Sequence, residues 1–281
     1  MRTYYPTLTI AGSDSSGGAG IQADIKTMSA IGCYAMSAIT SITAQNTTGV
    51  RSIMPVSATV VADQIDMVMT DIPPLAVKIG MLCNAEVATA VAERLEHYRP
   101  DNLIVDPVMV STSGSMLLEE DAVEVLVRRI FPLATLVTPN QMETKALTGS
   151  DKTALQIEKL RRLGCRNILI KGGDTDRNDI KVDILHLSDS DETIELKADA
   201  VDTRNTHGTG CTLSSAIASY LALGYELTDA VSMAKLYVTH ALEAGSWITT
   251  GHGHGPVNHF FSPRRLKNFN PKSQQKDNKI H

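Results

Sequence analysis

The sequence is poor in several features that mark whole classes of protein. Aromatic residues make up 4% of its 281 residues, so the chain lacks the aromatic platform on which single-stranded nucleic acids stack. Its 26 basic residues are outnumbered by 31 acidic ones, which leaves no excess of positive charge to attract a phosphate backbone. We therefore expect no nucleic-acid partner.

Cysteines and long apolar runs are also scarce. The four cysteines, Cys33, Cys83, Cys165 and Cys211, are far apart and form no C-x-x-C pair, so neither a disulfide framework nor a structural zinc site is predicted. No apolar run reaches the ~18 residues of a membrane span, and the first residues lack the basic and apolar regions of a signal peptide. These absences predict a cytoplasmic protein with no membrane partner.

What the sequence does contain is a repeated alternation of short β-branched segments with amphipathic stretches. This alternation is typical of βαβ units and a mostly parallel sheet. Residues 181–198 predict a hairpin, and 209–223 and 227–246 predict two helices. Because no linker precedes residue 250 or so, we expect one α/β domain over residues 1–261, followed by a polar, basic, flexible and solvated tail over 262–281.

A first glycine cluster occupies residues 12–20, between a predicted strand and a predicted helix. Ligands of open α/β sheets bind at such places. The cluster has neither the G-x-G-x-x-G nor the G-x-x-x-x-G-K-[ST] spacing of the standard phosphate loops. A ligand-binding loop and a tight turn that needs positive φ both remain open interpretations.

A second glycine cluster, residues 205–212, runs directly into an apolar helix. The amides of Gly208 and Gly210 at the helix start can point at an anion, and the helix dipole adds to the attraction. Cys211 lies in the first turn, where a helix N-terminus lowers a thiol pKa from about 8.5 toward neutrality. This geometry suits a transferring phosphoryl group and a proton acceptor; a small buried cysteine beside a capping threonine is the alternative.

Seven motifs, in order along the chain, carry a resemblance to a known family. They are Ala11–Asp24, Thr43–Thr47, Lys78–Leu82, Asp106–Met109, Thr138–Glu143, Lys171–Gly173 and Asn205–Cys211. Together they closely resemble the hydroxymethylpyrimidine/phosphomethylpyrimidine kinases of thiamine biosynthesis, and they also resemble the related pyridoxal kinases. The resemblance implies a ribokinase-like three-layer α/β/α sandwich, a homodimer, and ATP with Mg²⁺. It implies phosphorylation of the hydroxymethyl group of a pyrimidine and then of the resulting phosphate.

The resemblance also implies the contacts of the pyrimidine substrate. Gln45 follows a β-rich stretch in a predicted polar loop, where its carboxamide can donate to a ring nitrogen and accept from an exocyclic amine. Asp24, in the first predicted helix, is matched to a carboxylate that binds the same ring, although a helix-surface aspartate is the alternative. Gly12, Met81 and Val108 are matched to the pocket lining, with core packing as the alternative for the two apolar residues.

On the phosphate side, Asp106 ends an apolar run at the carboxyl edge of a predicted central strand, where carboxylates face the ligand crevice. Asn140 and Glu143 have the N-x-x-E spacing that, in this superfamily, helps to order Mg²⁺ and its waters. Glu143 could otherwise be an ordinary acid in the first turn of a helix. The residues expected to bind the nucleotide are Lys171, Gly172, Gly173, Thr209 and, by position only, Lys235.

For catalysis, the resemblance makes Cys211 the general base, at a place where much of the superfamily has aspartate. A positioned proton acceptor typically contributes ~10²–10⁴ in rate. The amides from Gly208 through Gly210 to Cys211 would stabilise the charge on the migrating phosphoryl group. His207, beside this turn, has no assigned role. His252, His254 and His259 lie in a glycine- and proline-rich turn, which we interpret as structural rather than metal-binding.

Three positions depart from the family pattern: Lys145, Asp174 and Ser115. All three lie toward the expected nucleotide side, so they leave the nucleotide preference open. Within the kinases, the alternative function is a pyridoxal kinase. Outside them, the absent G-x-G-x-x-G spacing argues against a nucleotide-binding oxidoreductase, and the joint presence of Cys211, Asn140 and Glu143 argues against a non-catalytic pyrimidine sensor.

Overall fold

The computed structural model describes residues 2–109, 119–172 and 179–271. Within these residues, nine strands form one mixed sheet, and two short strands, β1 (Thr3–Tyr4) and β11 (Asn268–Phe269), pair with each other. The strands of the large sheet are β2 (Pro6–Asp14), β3 (Tyr34–Asn46), β4 (Gly49–Pro55), β5 (Ala76–Ile79), β6 (Leu103–Val105), β7 (Leu136–Val137), β8 (Ile168–Ile170), β9 (Ile180–Leu187) and β10 (Glu192–Asp199).

Eight α-helices accompany these strands in the described residues. They are α1 (Gly20–Ile31), α2 (Ala58–Asp71), α3 (Ala85–Tyr98), α4 (Glu120–Val125), α5 (Gln141–Thr148), α6 (Thr153–Arg162), α7 (Thr209–Ala222) and α8 (Leu227–Gly245). Helices α7 and α8 confirm the two helices predicted near the end of the chain. Over the ranges that the structure covers, no helix combines the length and the apolar character needed to cross a membrane.

The strand order is β10-β9-β8-β7-β6-β5-β2-β3-β4, with a parallel centre and antiparallel pairs at both edges. The predicted mostly parallel sheet is therefore confirmed, and so is the predicted hairpin, which is formed by β9 and β10. Strands β6, β7 and β8 are short apolar runs without polar alternation, because both faces of a parallel sheet are covered. All three residues of β6, for example, are fully buried.

Two apolar clusters, one on each face of the sheet, make the three layers. Leu103 and Val105 of β6 belong to the cluster that includes α2, α3 and α6. Ile104, between them, belongs to the cluster that includes α1, α7 and α8. Because successive side chains of a strand point to opposite faces, this division confirms the predicted α/β/α sandwich.

The described part of the predicted tail has defined contacts, contrary to the flexible segment that we predicted from residue 262. The Arg264 N–H donates to the Ala30 carbonyl, and the Lys267 N–H donates to the Gly32 carbonyl, both at 2.8 Å. Strand β11 pairs with β1. The tail backbone thus donates hydrogen bonds to carbonyls at the end of α1 and pairs with the N-terminal strand. Its polar composition did not predict these contacts. Residues 272–281 lie outside the described residues.

Candidate functional site

The predicted functional residues come together at the carboxyl edge of the parallel strands, as expected for an open α/β sheet. Asp14 ends β2, Met81 follows β5, and Asp106 follows β6. The first turn of α7 lies at the same edge: a Cβ on Gly210 would be 3.2 Å from the Lys171 Nζ and 3.5 Å from an Asp106 carboxylate oxygen. Folding therefore joins the second glycine cluster to three strand ends.

The N-terminus of α7 depends on close packing between the two glycine clusters. Gly208 is the N-cap residue and has a φ of 82°, in the left-handed region that favours glycine. A Cβ at this position would lie 1.8 Å from the Gly18 carbonyl oxygen. The Thr209 Oγ1 donates to the Thr206 carbonyl at 3.1 Å. First-turn amides such as those of Gly210 and Cys211 have no partner within their helix, so this turn presents donors to an anion.

The first glycine cluster is organised by Asp14, a residue that the sequence analysis did not single out. Its carboxylate accepts hydrogen bonds from the Ser16 N–H and Oγ and from the Gly18 and Ala19 N–H groups, at 2.7–3.1 Å. The His207 Nε2 lies 2.8 Å from the same carboxylate. Because the loop amides face Asp14, this cluster is a tight turn rather than a phosphate cradle. The sequence signal that could have identified Asp14 is its position at the end of a buried strand, shortly before a run of glycines.

The charge of Asp14 is expected to stabilise the fold. Burial disfavours the carboxylate, but hydrogen bonds from His207, Ser16 and Ala19 outweigh it and lower the pKa of Asp14 from 3.8 to about 2. A lowered pKa stabilises the folded state above about pH 4, and this stabilisation is lost as the pH falls through about 2. We expect Asp14→Asn to lower the free energy of unfolding by on the order of 2 kcal/mol at neutral pH.

Urea unfolding of the wild type and Asp14→Asn at neutral and acid pH measures this difference, which should shrink as the pH falls below about 4. Asp63→Asn is the matched control, because Asp63 is exposed on α2 and its loss should change stability by less than about 0.5 kcal/mol. A difference between wild type and Asp14→Asn that is the same at both pH values would contradict this role of the carboxylate.

Gln45 lies inside β3, at a register shift opposite β4, rather than in the loop that we predicted. The Ser15 Oγ accepts from the Gln45 N–H at 2.8 Å and donates to its carbonyl at 2.7 Å. The carboxamide has its Nε2 3.5 Å from the His207 Nε2 and its Oε1 3.1 Å from the Thr43 Oγ1. Gln45 also lines an open cavity of about 490 Å³ at the β3–β4 hairpin, and contact of its carboxamide with a substrate stays a prediction.

Two of the three predicted lining residues are in contact with each other. A Cβ on Gly12 would lie 2.6 Å from the Met81 Cε and 2.7 Å from the Ser41 Oγ, so a larger residue at position 12 would push these groups apart. Val108 is half-buried, and its N–H donates to the Asp106 carbonyl at 2.8 Å. Contact of these residues with a substrate stays a prediction.

Asp24 is buried below the site, and the predicted direct contact with a substrate ring is not supported. Its carboxylate lies 2.8 and 3.0 Å from the Lys78 Nζ and 2.6 Å from the Thr9 Oγ1, and the Ser215 Oγ completes its shell. Asp24 and Lys78 are both fully buried, because α1 turns Asp24 toward the sheet face on which Lys78 stands. Ser215 also contacts the Cys211 carbonyl, so the ion pair underlies the first turn of α7.

Cys211 is partly exposed, whereas the other three cysteines are buried. Although part of the residue is exposed, desolvation of the Cys211 sulfur raises the pKa of the thiol to about 11, while Lys78 and the Gly20 backbone N–H favour the thiolate. Asp24 and Asp106 raise the pKa further. The expected lowering toward neutrality is therefore wrong, because desolvation of the sulfur and two nearby carboxylates outweigh the helix N-terminus. At neutral pH, Cys211 is a thiol.

On the phosphate side, Asp106 is almost fully buried and lies 2.7 Å from the Lys171 Nζ. Asn140 and Glu143 form a capping box at the start of α5, in which each side chain accepts the other's backbone N–H at 2.8 Å. Burial raises the pKa of Glu143 to about 7, with Lys171 lowering it and Asp106 raising it. The N-x-x-E spacing thus starts a helix and also places a carboxyl with near-neutral pKa beside the Asp106–Lys171 pair.

The residues near Asp106 include oxygen donors of the kind that Mg²⁺ binds. In the ranges described, no group of three or more His, Cys, Asp or Glu side chains is arranged to hold a metal ion. Asp106 and Glu143 are nevertheless two oxygen donors whose charges interact, and Asn140 begins the same helix. Because Mg²⁺ is usually held by one or two carboxylates together with substrate phosphates and waters, this donor set fits the ion.

Lys235 acts through Asp183 of β9. The Asp183 carboxylate accepts from the Lys235 Nζ at 2.7 Å and from the Gly172 N–H at 2.9 Å. A Cβ on Gly172 would lie 1.7 Å from the Val182 carbonyl oxygen, so the chain after β8 runs directly against β9. Lys235 therefore supports the predicted nucleotide loop instead of extending freely toward a ligand. Outside the described residues lie Gly173, Asp174 and Ser115.

The chain is similar to proteins of one enzyme family along most of its length. A family described as phosphomethylpyrimidine kinase matches residues 14–258. The hydroxymethylpyrimidine/phosphomethylpyrimidine kinase of Rhizobium meliloti is 47% identical over 259 residues, which cover 90% of this chain and 96% of that protein. The thiamine biosynthesis bifunctional protein ThiED of Geobacter sulfurreducens is 48% identical over 92% of this chain, and the match spans 53% of its own length.

Solved structures show the same relationship. A phosphomethylpyrimidine kinase from Clostridium difficile, known from a crystal structure, has 48% sequence identity to this chain and a TM-score of 0.73. The match covers 84% of this chain and 99% of the Clostridium difficile chain. An ADP complex of Bacillus subtilis pyridoxal kinase is 33% identical, with a TM-score of 0.83, and covers 92% of this chain and 98% of that one. The fold is thus shared with both kinds of kinase, and the sequence identity is higher with the former.

Proposed function

This chain belongs to the phosphomethylpyrimidine kinase family, and on that premise we propose that it phosphorylates 4-amino-5-hydroxymethyl-2-methylpyrimidine and then the resulting monophosphate, with ATP as donor. The proposal rests above all on the convergence of three features at one sheet edge. These are the Gln45 carboxamide, the first turn of α7 with Cys211, and the Asp106–Lys171 pair beside Gly210. They supply acceptor recognition, phosphoryl stabilisation and a phosphate side, in that order.

We assign the nucleotide to the side formed by Lys171, Gly172 and Thr209, and Mg²⁺ to Asp106 and Glu143 with Asn140. The ion, when bound, supplies neutralisation of phosphate charge. A nearby cation favours the ionised form of a carboxyl, so Glu143, with a pKa of about 7, can gain or lose its charge with small changes around it. Lys235 takes part by holding Gly172 through Asp183.

On the acceptor side, the Gln45 carboxamide pairs with the aminopyrimidine edge, and Gly12, Met81 and Val108 line the ring. The Asp24–Lys78 pair acts from below as a buried support of the α7 turn. The amides of Gly210 and Cys211, together with the helix dipole, meet the charge on the migrating phosphoryl group. Cys211 receives the proton of the acceptor alcohol in its thiolate form, which is the minor form at neutral pH because the pKa of this thiol is about 11.

The proposal extends to the surroundings of the enzyme: a homodimer in the cytoplasm, with ATP and small pyrimidines as its partners. The net charge of −5 supports the lack of a nucleic-acid partner. The apolar side chains of Met54 on β4 and Met67 on α2 are 58% and 71% exposed. Single exposed apolar side chains are normal on a protein surface, so the homodimer is proposed from the family resemblance and not from these residues.

ADP release with ATP and Mg²⁺ tests the function directly, with hydroxymethylpyrimidine, its monophosphate and pyridoxal as separate acceptors. We expect turnover of the first two, with a kcat/KM above that for pyridoxal. Turnover of pyridoxal alone would establish the second candidate, a pyridoxal kinase, for which the supporting observation is the TM-score of 0.83 with the Bacillus subtilis enzyme. No turnover of any acceptor would overturn the kinase assignment.

A further inference from the structure

The hairpin of β3 and β4 is held at its turn by a distant segment, Gly251–Pro256, here called the strap. The Thr47 Oγ1 accepts from the His252 and Gly253 N–H groups, each at 3.2 Å, and the Thr47 carbonyl accepts from the His254 N–H at 3.0 Å. A Cβ on Gly253 would lie 1.9 Å from the Thr47 carbonyl oxygen. The strap therefore contacts the hairpin turn backbone to backbone, at a distance that requires glycine.

The other end of the strap joins the residues that precede α7. The His207 N–H donates to the Gly255 carbonyl at 3.0 Å, and Pro256 forms a parallel bridge with His207. A Cβ on Gly255 would lie 2.0 Å from the Asn205 Oδ1, so this contact is also close. The strap thus links the turn of the β3–β4 hairpin to the turn that leads into α7.

The side chain of His207 completes the link below the strap. Its Nε2 lies 2.8 Å from the Asp14 Oδ2, and both side chains are buried. The same nitrogen lies 3.5 Å from the Gln45 Nε2. Because the Asp14 carboxylate can only accept, His207 donates to it, and the contact with Gln45 is one of packing. One imidazole therefore touches both the first glycine cluster and the carboxamide proposed to read the acceptor.

We propose that the strap and His207 are positioning elements that set the acceptor specificity of this site. They fix the distance between the Gln45 carboxamide and the first turn of α7, and so decide which acceptor ring can bring its hydroxyl group to Cys211. The inference rests on the proposed function and deepens it. The alternation of glycine and histidine in the strap has a physical reason: Gly253 and Gly255 meet neighbouring atoms, whereas His252 and His254 are exposed.

The test is Gly253→Ala, which must push the strap away from Thr47; the atoms nearest the added Cβ belong to Thr47 and Thr48 and not to Lys171 or Gly172 of the predicted nucleotide side. Calorimetry with hydroxymethylpyrimidine alone gives the acceptor Kd, and steady-state kinetics give KM for the acceptor and for ATP. Because displacement by about 1 Å is costly at a positioned site, we expect the acceptor Kd and KM to rise by about tenfold or more, with the ATP KM within about twofold.

Thr47→Val provides a second variant that keeps the size of the side chain and removes the Oγ1 acceptor. It should raise the acceptor Kd in the same direction by about threefold. His254→Ala is the matched control, because it truncates an exposed side chain of the same strap and leaves its backbone bonds intact, so that both constants should stay at wild-type values.

An unchanged acceptor Kd in Gly253→Ala and Thr47→Val, or an equal rise of the acceptor and ATP constants, would overturn the positioning role. Failure of Gly253→Ala to fold leaves Thr47→Val to decide between these outcomes. If the wild type bound no hydroxymethylpyrimidine while still turning over another acceptor, the proposed function would fall and this inference with it. If the wild type binds hydroxymethylpyrimidine and only the variants lose this binding, the proposed function and the positioning role both stand.

Discussion

Replacing Cys211 with alanine is expected to slow phosphorylation of the alcohol acceptor by about 10²–10⁴-fold. The monophosphate step should slow by less than about tenfold, because a phosphate monoester, with its second pKa near 6, is already largely ionised at neutral pH. A primary alcohol, in contrast, must lose a proton as it attacks. Steady-state ADP release with hydroxymethylpyrimidine and with its monophosphate measures the two steps separately.

The pH dependence of the wild type follows from the same chemistry. Burial raises the pKa of Cys211 to about 11, so below that value the thiolate fraction increases about tenfold per pH unit. If the thiolate takes the proton, alcohol phosphorylation should accelerate between about pH 7 and pH 9, whereas the monophosphate step should stay nearly flat over that range.

Cys165→Ala is the matched control for Cys211→Ala. Cys165 is a buried thiol in the core cluster with α2, α3 and α6, on the opposite face of the sheet from α7. Both phosphorylation steps should keep wild-type rates in this control. An equal loss of both steps in Cys211→Ala, together with a flat pH profile of the wild-type alcohol step, would assign Cys211 a structural role instead.

Gly208→Ala is expected to lower kcat by about 10²–10³-fold with both acceptors, the loss typical of removing a donor to a developing negative charge. The new Cβ would lie 1.8 Å from the Gly18 carbonyl oxygen, so the two glycine clusters must separate. The first turn of α7 would then move, and with it the amides of Gly210 and Cys211. Single-turnover kinetics with saturating ATP isolate this effect from substrate binding.

Gly224→Ala is the matched control for Gly208→Ala, because it introduces the same backbone strain without displacing a neighbouring segment. Gly224 follows the other end of α7, has a φ of 89°, and a Cβ there has nothing within 4 Å. A left-handed conformation costs a non-glycine residue roughly 1–2 kcal/mol, so Gly224→Ala should lose about that much stability. Gly208→Ala should lose more, because its Cβ also meets the Gly18 carbonyl oxygen. The Gly224→Ala variant should keep the wild-type kcat. If Gly208→Ala also kept it, the first turn of α7 would not be the phosphoryl site.

The elements of the fold were largely predictable because their signals are local. Alternating apolar and amphipathic segments indicated the parallel sheet, and the predicted helix over residues 209–223 matches α7 to within one residue. The meeting of three predicted site motifs at one edge followed as well, since the motifs containing Asp106, Asn140 and Lys171 each follow a strand, and parallel strands end at one edge. Gln45 was placed in a loop because a register shift in a hairpin has no clear sequence signature.

The ion pairs and protonation states of the site could not be predicted from local sequence patterns. The sequence placed Asp24 on a helix near a ligand, but its ion pair with Lys78 depends on which helix face meets the sheet. The pKa of Cys211 was expected to fall because the helix N-terminus is visible in sequence, whereas the desolvation that raises it is not.

Local patterns in the chain were therefore sufficient for the fold class, the family motifs and the edge of the sheet at which the site is built. The pairing and protonation of its groups required the folded chain, because they depend on neighbours that are distant in sequence. His207 and Asp14 are 193 residues apart, and the Gly253 N–H bonds to a threonine 206 residues away. Desolvation and hydrogen bonding are properties of such neighbourhoods, and no periodicity or spacing encodes them.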